Sequence, residues 1–123
     1  MSLDSTANIL SVDAGASNVR SVIFNSNGDT IGEYGVNEGG NIAVDPEAST
    51  KVIMSTISSL LDKCKLGYDD ISHFSLGIAG ISNDAAREML FKRLDERNIS
   101  SKTHLGSDVN PIFEMNCADN SAI

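Results

Sequence analysis

Asp13, Gly15 and Ser17 alternate with Ala14 and Ala16 in the stretch ILSVDAGASNVRSVIF, residues 9–24. The set is a carboxylate at the exit of an apolar run, a glycine that lets another group approach the backbone closely, and a serine with a hydroxyl and an N–H. It suits an oxyanion. In a hairpin loop with small side chains, N–H groups stay free to form an anion-binding nest. The same composition also makes an ordinary turn, in which Gly supplies backbone freedom and Asp and Ser bond locally. Residue types alone leave both readings open.

Three further clusters carry chemistry of the same kind. Gly77-Ile78-Ala79-Gly80-Ile81-Ser82 joins an apolar run to a helix start, as a ligand loop or as a close strand-to-helix packing turn. Asp108 follows another short apolar run and fits a helix N-cap or a proton acceptor for a substrate hydroxyl. Asn41 follows Gly39-Gly40 and has the donor and acceptor that a sugar hydroxyl or amide needs, although such a residue also suits a plain loop.

The elements that must position these residues are legible from periodicity. Residues 8–13, 18–25 and 30–36 read as strands joined by short turns, with strong turn chemistry at Asn25-Ser26-Asn27-Gly28-Asp29. Asp45-Pro46-Glu47 is a helix start with Asp45 as N-cap and Pro46 in the first turn. Val52, Ile53, Ile57, Leu60, Leu61 and Cys64 share one face of that helix, and Gly67 lies past its end. Residues 72–79 form a fourth strand. A second helix runs from Ser82-Asn83-Asp84 to about Arg97, with Met89, Leu90 and Leu94 as its stripe. Residues 102–106 form a fifth strand, and a third helix begins at Ser107 or Asp108. Three strands followed by helix, strand, helix, strand, helix predict an α/β fold: a five-stranded mixed sheet, with an antiparallel three-strand meander, two parallel strands and flanking helices. If the first, fourth and fifth strands are parallel neighbours, their ends bring Asp13, the Gly77–Ser82 loop and Ser107-Asp108 to one rim.

Composition sets the outer limits. The chain has 123 residues, the size of one domain, and 41% of them are hydrophobic. Its net charge is −8, from 17 acidic and 9 basic residues, and the basic ones are scattered, which argues against nucleic acid. Cys64 and Cys117 form no C-x-x-C pair and lie near neither His73 nor His104, which argues against a disulfide framework and a zinc site. No run approaches a membrane span and no signal peptide opens the chain, so a cytoplasmic location is expected. The last helix stops within about three turns at Ile123, which suggests a truncated chain.

Taken together, VDAGASNVRSVIFNSNGDTIGEY, NEGGN ahead of Asp45-Pro46-Glu47, LGIAGIS and GSDV resemble motifs of the superfamily of sugar kinases, heat-shock chaperones and actin. Within it they look most like the N-acetylglucosamine kinase and BadF/BadG ATPase branch, in the same order along essentially the whole chain. The resemblance implies a ribonuclease H-like (actin-like ATPase) lobe, the N-terminal half of a two-lobe kinase that holds ATP and Mg2+ between its lobes. Asp13 would then hold Mg2+ through water. Gly15, Ala16, Ser17 and Asn18 would line the phosphates, and Asn41, Ala79 and Gly80 would border an N-acetylhexosamine. Asp108 would be the base that deprotonates the attacking hydroxyl. The implied partners are a small sugar and the chain's own C-terminal lobe, with room for a homodimer. The family's second phosphate motif would fall beyond Ile123, so the lone lobe is expected to be inactive. Ala14 and Ala16 stand where the branch often has glycines, and Val109-Asn110-Pro111 departs from its small apolar pattern. The alternatives are an activator ATPase of a radical dehydratase, a non-catalytic sugar sensor, and an α/β interaction domain in which every motif is a cap or turn.

Overall fold

The computed structural model describes residues 7–107. Its strands are β1 (Asn8–Ala14), β2 (Val19–Asn25), β3 (Thr30–Val36), β4 (His73–Ile78) and β5 (Thr103–Gly106). Helix α1 (Pro46–Cys64) joins β3 to β4, and α2 (Asp84–Glu96) joins β4 to β5. The sheet order is β3-β2-β1-β4-β5. β1, β2 and β3 pair antiparallel, whereas β4 runs parallel to both β1 and β5. This is the mixed sheet expected from the sequence, with β1, β4 and β5 as parallel neighbours.

Local chemistry explains the turns and caps. The Asn25 side chain accepts hydrogen bonds from the N–H groups of Asn27 and Asp29 at 2.9 and 3.0 Å, and Gly28 takes φ 87°. The β2–β3 hairpin therefore closes on an Asx turn. Asp45 caps α1 through Ala48 N–H at 3.2 Å, and Asn83 caps α2 through Ala86 N–H at 2.9 Å. Both caps satisfy N–H groups that have no partner inside the helix. α1 ends on Lys65 in the left-handed region (φ 59°), not on Gly67. The Gly67 N–H is instead held by the Asp70 carboxylate at 2.8 Å, where it starts the short 3-10 turn Tyr68–Asp70.

One face of the sheet carries the core. Register aligns Leu10 with Ile23 and Phe74, Val12 with Ser21 and Leu76, and Ala14 with Val19 and Ile78. All of them are buried, and they form one cluster with Ile53, Ile57, Leu60 and Leu61 of α1 and Ala86, Leu90 and Leu94 of α2, Ser21 alone being polar. α1 crosses β3 and β2 and packs on α2, so both helices cover this face. Three expected positions differ. Met89 is exposed, because Ala86 rather than Met89 continues the i, i+4, i+8 row of Leu90 and Leu94. Val52 and Cys64 are only partly buried, while Thr56 is fully buried with its hydroxyl donating to Val52 O at 2.7 Å. The third helix expected from Ser107 or Asp108 lies outside the described residues. No described helix is long and apolar enough to cross a membrane.

On the opposite face, Ser11 pairs with Ser75, and Ser75 with His104. His73 is half-buried on β4, and its Nε2 is buried without a hydrogen-bond partner. Burial pushes its imidazole below the ordinary 6.5, and the charge of His104 adds to the shift. As pH falls through 6.5, the unfolded chain takes up the proton before the folded one does. Stability is therefore fully present above 6.5 and is lost as pH falls from there to the lowered folded value, where the loss levels off. The urea midpoint should drop between about pH 7.5 and about pH 5.5, and His73→Leu should remove part of that drop. An equal drop in the variant would contradict this origin.

Candidate functional site

β1, β4 and β5 end at one edge of the sheet, with Asp13 level with Gly77 and Gly77 level with Gly106. Three loops meet there: residues 15–18, 37–45 and 79–83. Main-chain hydrogen bonds stitch them into a ring. Ala79 N–H donates to Ala14 O at 2.9 Å, Ile42 N–H to Ala79 O at 3.0 Å, and Gly40 N–H to Gly15 O at 2.8 Å.

The glycines of the middle loop make this approach feasible. A Cβ on Gly40 would stand 2.6 Å from Val19 Cγ2 and 2.8 Å from Ala14 Cβ, and one on Gly39 would stand 2.8 Å from Ala16 O. Gly80 takes φ 84°, and a Cβ there would collide with the Asn41 side-chain oxygen. Asn41 is held from both ends. Its Oδ1 accepts from Ala43 N–H at 3.0 Å, and its carbonyl accepts from the Ser49 hydroxyl at 3.1 Å, in the first turn of α1.

The turn reading and the anion reading both find support in the 15–18 loop. Gly15 N–H donates to Asn18 O at 2.9 Å and closes the turn, so it is not available to a ligand. Ala16 and Ser17 are exposed, and their N–H groups have no partner among the described residues. Asp13 lies between Val12 and Ala14, which point into the core, so its carboxylate emerges on the sheet face away from the helices. It is exposed, sits across from Arg20, and forms no ion pair among the described residues.

On the helix side of the ring lies a cleft of ≈ 320 Å³, bordered by Ala16, Glu38, Gly39, Asn41, Val44 and Ser49 among others. Val44 is 80% exposed there. The structure thus brings Ala16, Asn41, Ala79 and Gly80 together and sets Asp13 at the same edge on the other face of the sheet. Asp108 lies outside the described residues. Glu38, Val44 and Ser49 were not foreseen, since nothing in the types or spacing of these residues marks them. Among the described residues no three His, Cys, Asp or Glu side chains are placed to cage a metal.

No protein-family profile and no curated protein matches this sequence. Solved structures do match. A candidate N-acetylglucosamine kinase from Chromobacterium violaceum aligns over 84% of this chain with 16% identity and a TM-score of 0.58. YeaZ from Pseudomonas aeruginosa aligns over 83% with 10% identity and a TM-score of 0.55. The PPX-GPPA enzyme of Aquifex aeolicus aligns over 80% with 18% identity and a TM-score of 0.50. The alignments take in 35%, 44% and 35% of those proteins' own lengths, so this chain spans less than half of each. At these identities the likeness establishes the fold alone, which is ribonuclease H-like.

Proposed function

We propose that this chain is the N-terminal lobe of a phosphotransferase that moves the γ-phosphoryl group of ATP to a hydroxyl of an N-acetylhexosamine such as N-acetylglucosamine. The observation that carries the reading is the hydrogen-bonded ring of loops at the ends of β1 and β4, where ligands gather in open α/β sheets. The fold shared with a candidate kinase of that sugar supports the acceptor class.

Each residue has a role in this reading. The free N–H groups of Ala16 and Ser17 and the Ser17 hydroxyl donate to phosphate oxygens, and Gly15 and Asn18 hold that loop in shape. Mg2+ binds through one or two carboxylates, keeps several waters, and completes its shell with substrate phosphates. One exposed, unpaired carboxylate, Asp13, fits that demand. The ion would neutralise phosphate charge during transfer. Because Asn41 Oδ1 is already bonded to Ala43 N–H, the amide is fixed with its NH2 free to donate to a sugar oxygen. Ala79 and Gly80 lie behind the cleft against the 41–43 segment, Ala79 through its bond from Ile42 N–H, and Glu38 adds an acceptor in the cleft lining. Asp108 is the base in this reading, and a C-terminal lobe would close the site against water.

The test has two parts. Mg-ADP titrated into the 123-residue chain should give saturable amide shifts at residues 15–18. ADP release by the longer protein that carries this lobe should depend on an N-acetylhexosamine. Absence of binding would remove the nucleotide site. Binding without sugar-dependent release would leave an ATPase of the same fold class.

A further inference from the structure

Away from the loop ring, α1 and α2 enclose a second groove of ≈ 320 Å³. Lys51 on α1 and Arg93 and Arg97 at the end of α2 line it, together with Ser55, Ser58 and Ser59. A chain of net charge −8 thus directs three of its nine Lys and Arg residues into one groove. None of the described residues that border it is acidic. Lys51 and Arg93 form no ion pair among the described residues.

Helix stability accounts for this arrangement only in part, through Glu47 four residues before Lys51 on α1. Arg93 and Arg97 are four residues apart, so their like charges face each other at a spacing that weakens a helix. The dipole at the end of α2 offsets that cost for the arginines. It does nothing for Lys51, which lies in the N-terminal third of α1. The Arg97 guanidinium rests 5.9 Å from the centre of the Tyr68 ring, which limits its swing. Thr50 is 2% exposed, and its buried Oγ1 has no hydrogen-bond partner. The groove therefore combines concentrated positive charge with one guanidinium, that of Arg97, steadied by a ring contact.

We propose that this groove binds the phosphate group of a small phosphate monoester. A phosphate dianion matches three cations, and guanidinium forks pair with its oxygens two at a time. The volume is at the small end of the range for small-molecule sites. The proposal is independent of the kinase reading, because it uses none of the residues of the loop ring.

The test is an amide-shift titration of the 123-residue chain at constant ionic strength, with inorganic phosphate in one arm and a hexose 6-phosphate in the other. Both should give saturable shifts confined to residues 50–59 and 93–97, with the ester at least about fivefold tighter. Lys51→Gln and Arg93→Gln, both exposed positions, should each weaken the ester at least about fivefold, while Arg20→Gln outside the groove should not. Equal affinity in the two arms would identify a bare phosphate site and overturn the ester. Shifts that are linear, that spread over all surface cations, that centre on residues 13–18, or that persist unchanged in both groove variants would overturn the site.

Discussion

Gly80→Ala should lower the unfolding free energy by about 3 kcal/mol, combining a left-handed residue with overpacking. The backbone at Gly80 has φ 84°, which costs a residue with a Cβ about 1–2 kcal/mol. The added methyl would stand 2.7 Å from Ala43 N and 2.8 Å from Ala43 Cβ, and would collide with the Asn41 side-chain oxygen. The first two neighbours belong to the chain's own backbone and Cβ, so no side-chain rotation clears them, and forcing the loop apart costs about 1–3 kcal/mol more. For a domain of this size the melting temperature should fall on the order of 15 °C. Gly67→Ala is the control, because a Cβ there meets only Asp70 Oδ2, at 3.7 Å, and should change little. Equal melting temperatures for the two variants would contradict the close contact between the 37–45 and 79–83 loops.

Asp13→Asn should leave the fold intact and, on the proposed reading, remove the phosphoryl transfer. The side chain is exposed and makes no ion pair among the described residues, so the unfolding free energy should stay within about 0.5 kcal/mol. In a two-lobe protein of the proposed kind, losing the charge proposed to face the metal-nucleotide should cut kcat/KM at least about 100-fold. The Mg2+ concentration needed for half-maximal rate should rise with it. Unchanged turnover would take Asp13 out of the site. A large loss of stability would show that the carboxylate is structural. Either result leaves the Gly80 prediction standing, since that one rests on loop packing alone.

The sequence made the scaffold legible wherever the cause is local. The Asp45-Pro46-Glu47 start became a capped helix because the side-chain bond spans only three residues. The meander followed from the Asn25–Asp29 turn and from the alternation of Val19, Ser21 and Ile23. The convergence of β1, β4 and β5 followed from topology once the meander was placed. The cleft was not legible, because it is made by contacts between distant loops. Nothing near Glu38, Val44 or Ser49 shows that Gly40 will bond Gly15, or that Ile42 will bond Ala79. Gly39 and Gly40 read as loop filler, and their purpose shows only when Ala14, Ala16 and Val19 arrive beside them. The face taken by Asp13 was available from the sequence, since both its neighbours are apolar. Met89 was misplaced because two adjacent apolar rows were open on α2, and packing against α1 and the sheet selected the row through Ala86.

Val44 keeps an isopropyl group in water at the mouth of the cleft. Anything that settles over that mouth gains about 1.5–3 kcal/mol by drying it fully, whatever its identity. Such a gain favours shutting the entrance without choosing the guest. Discrimination is left to the directional groups around it: the anchored amide of Asn41, the carboxylate of Glu38 and the hydroxyl of Ser49.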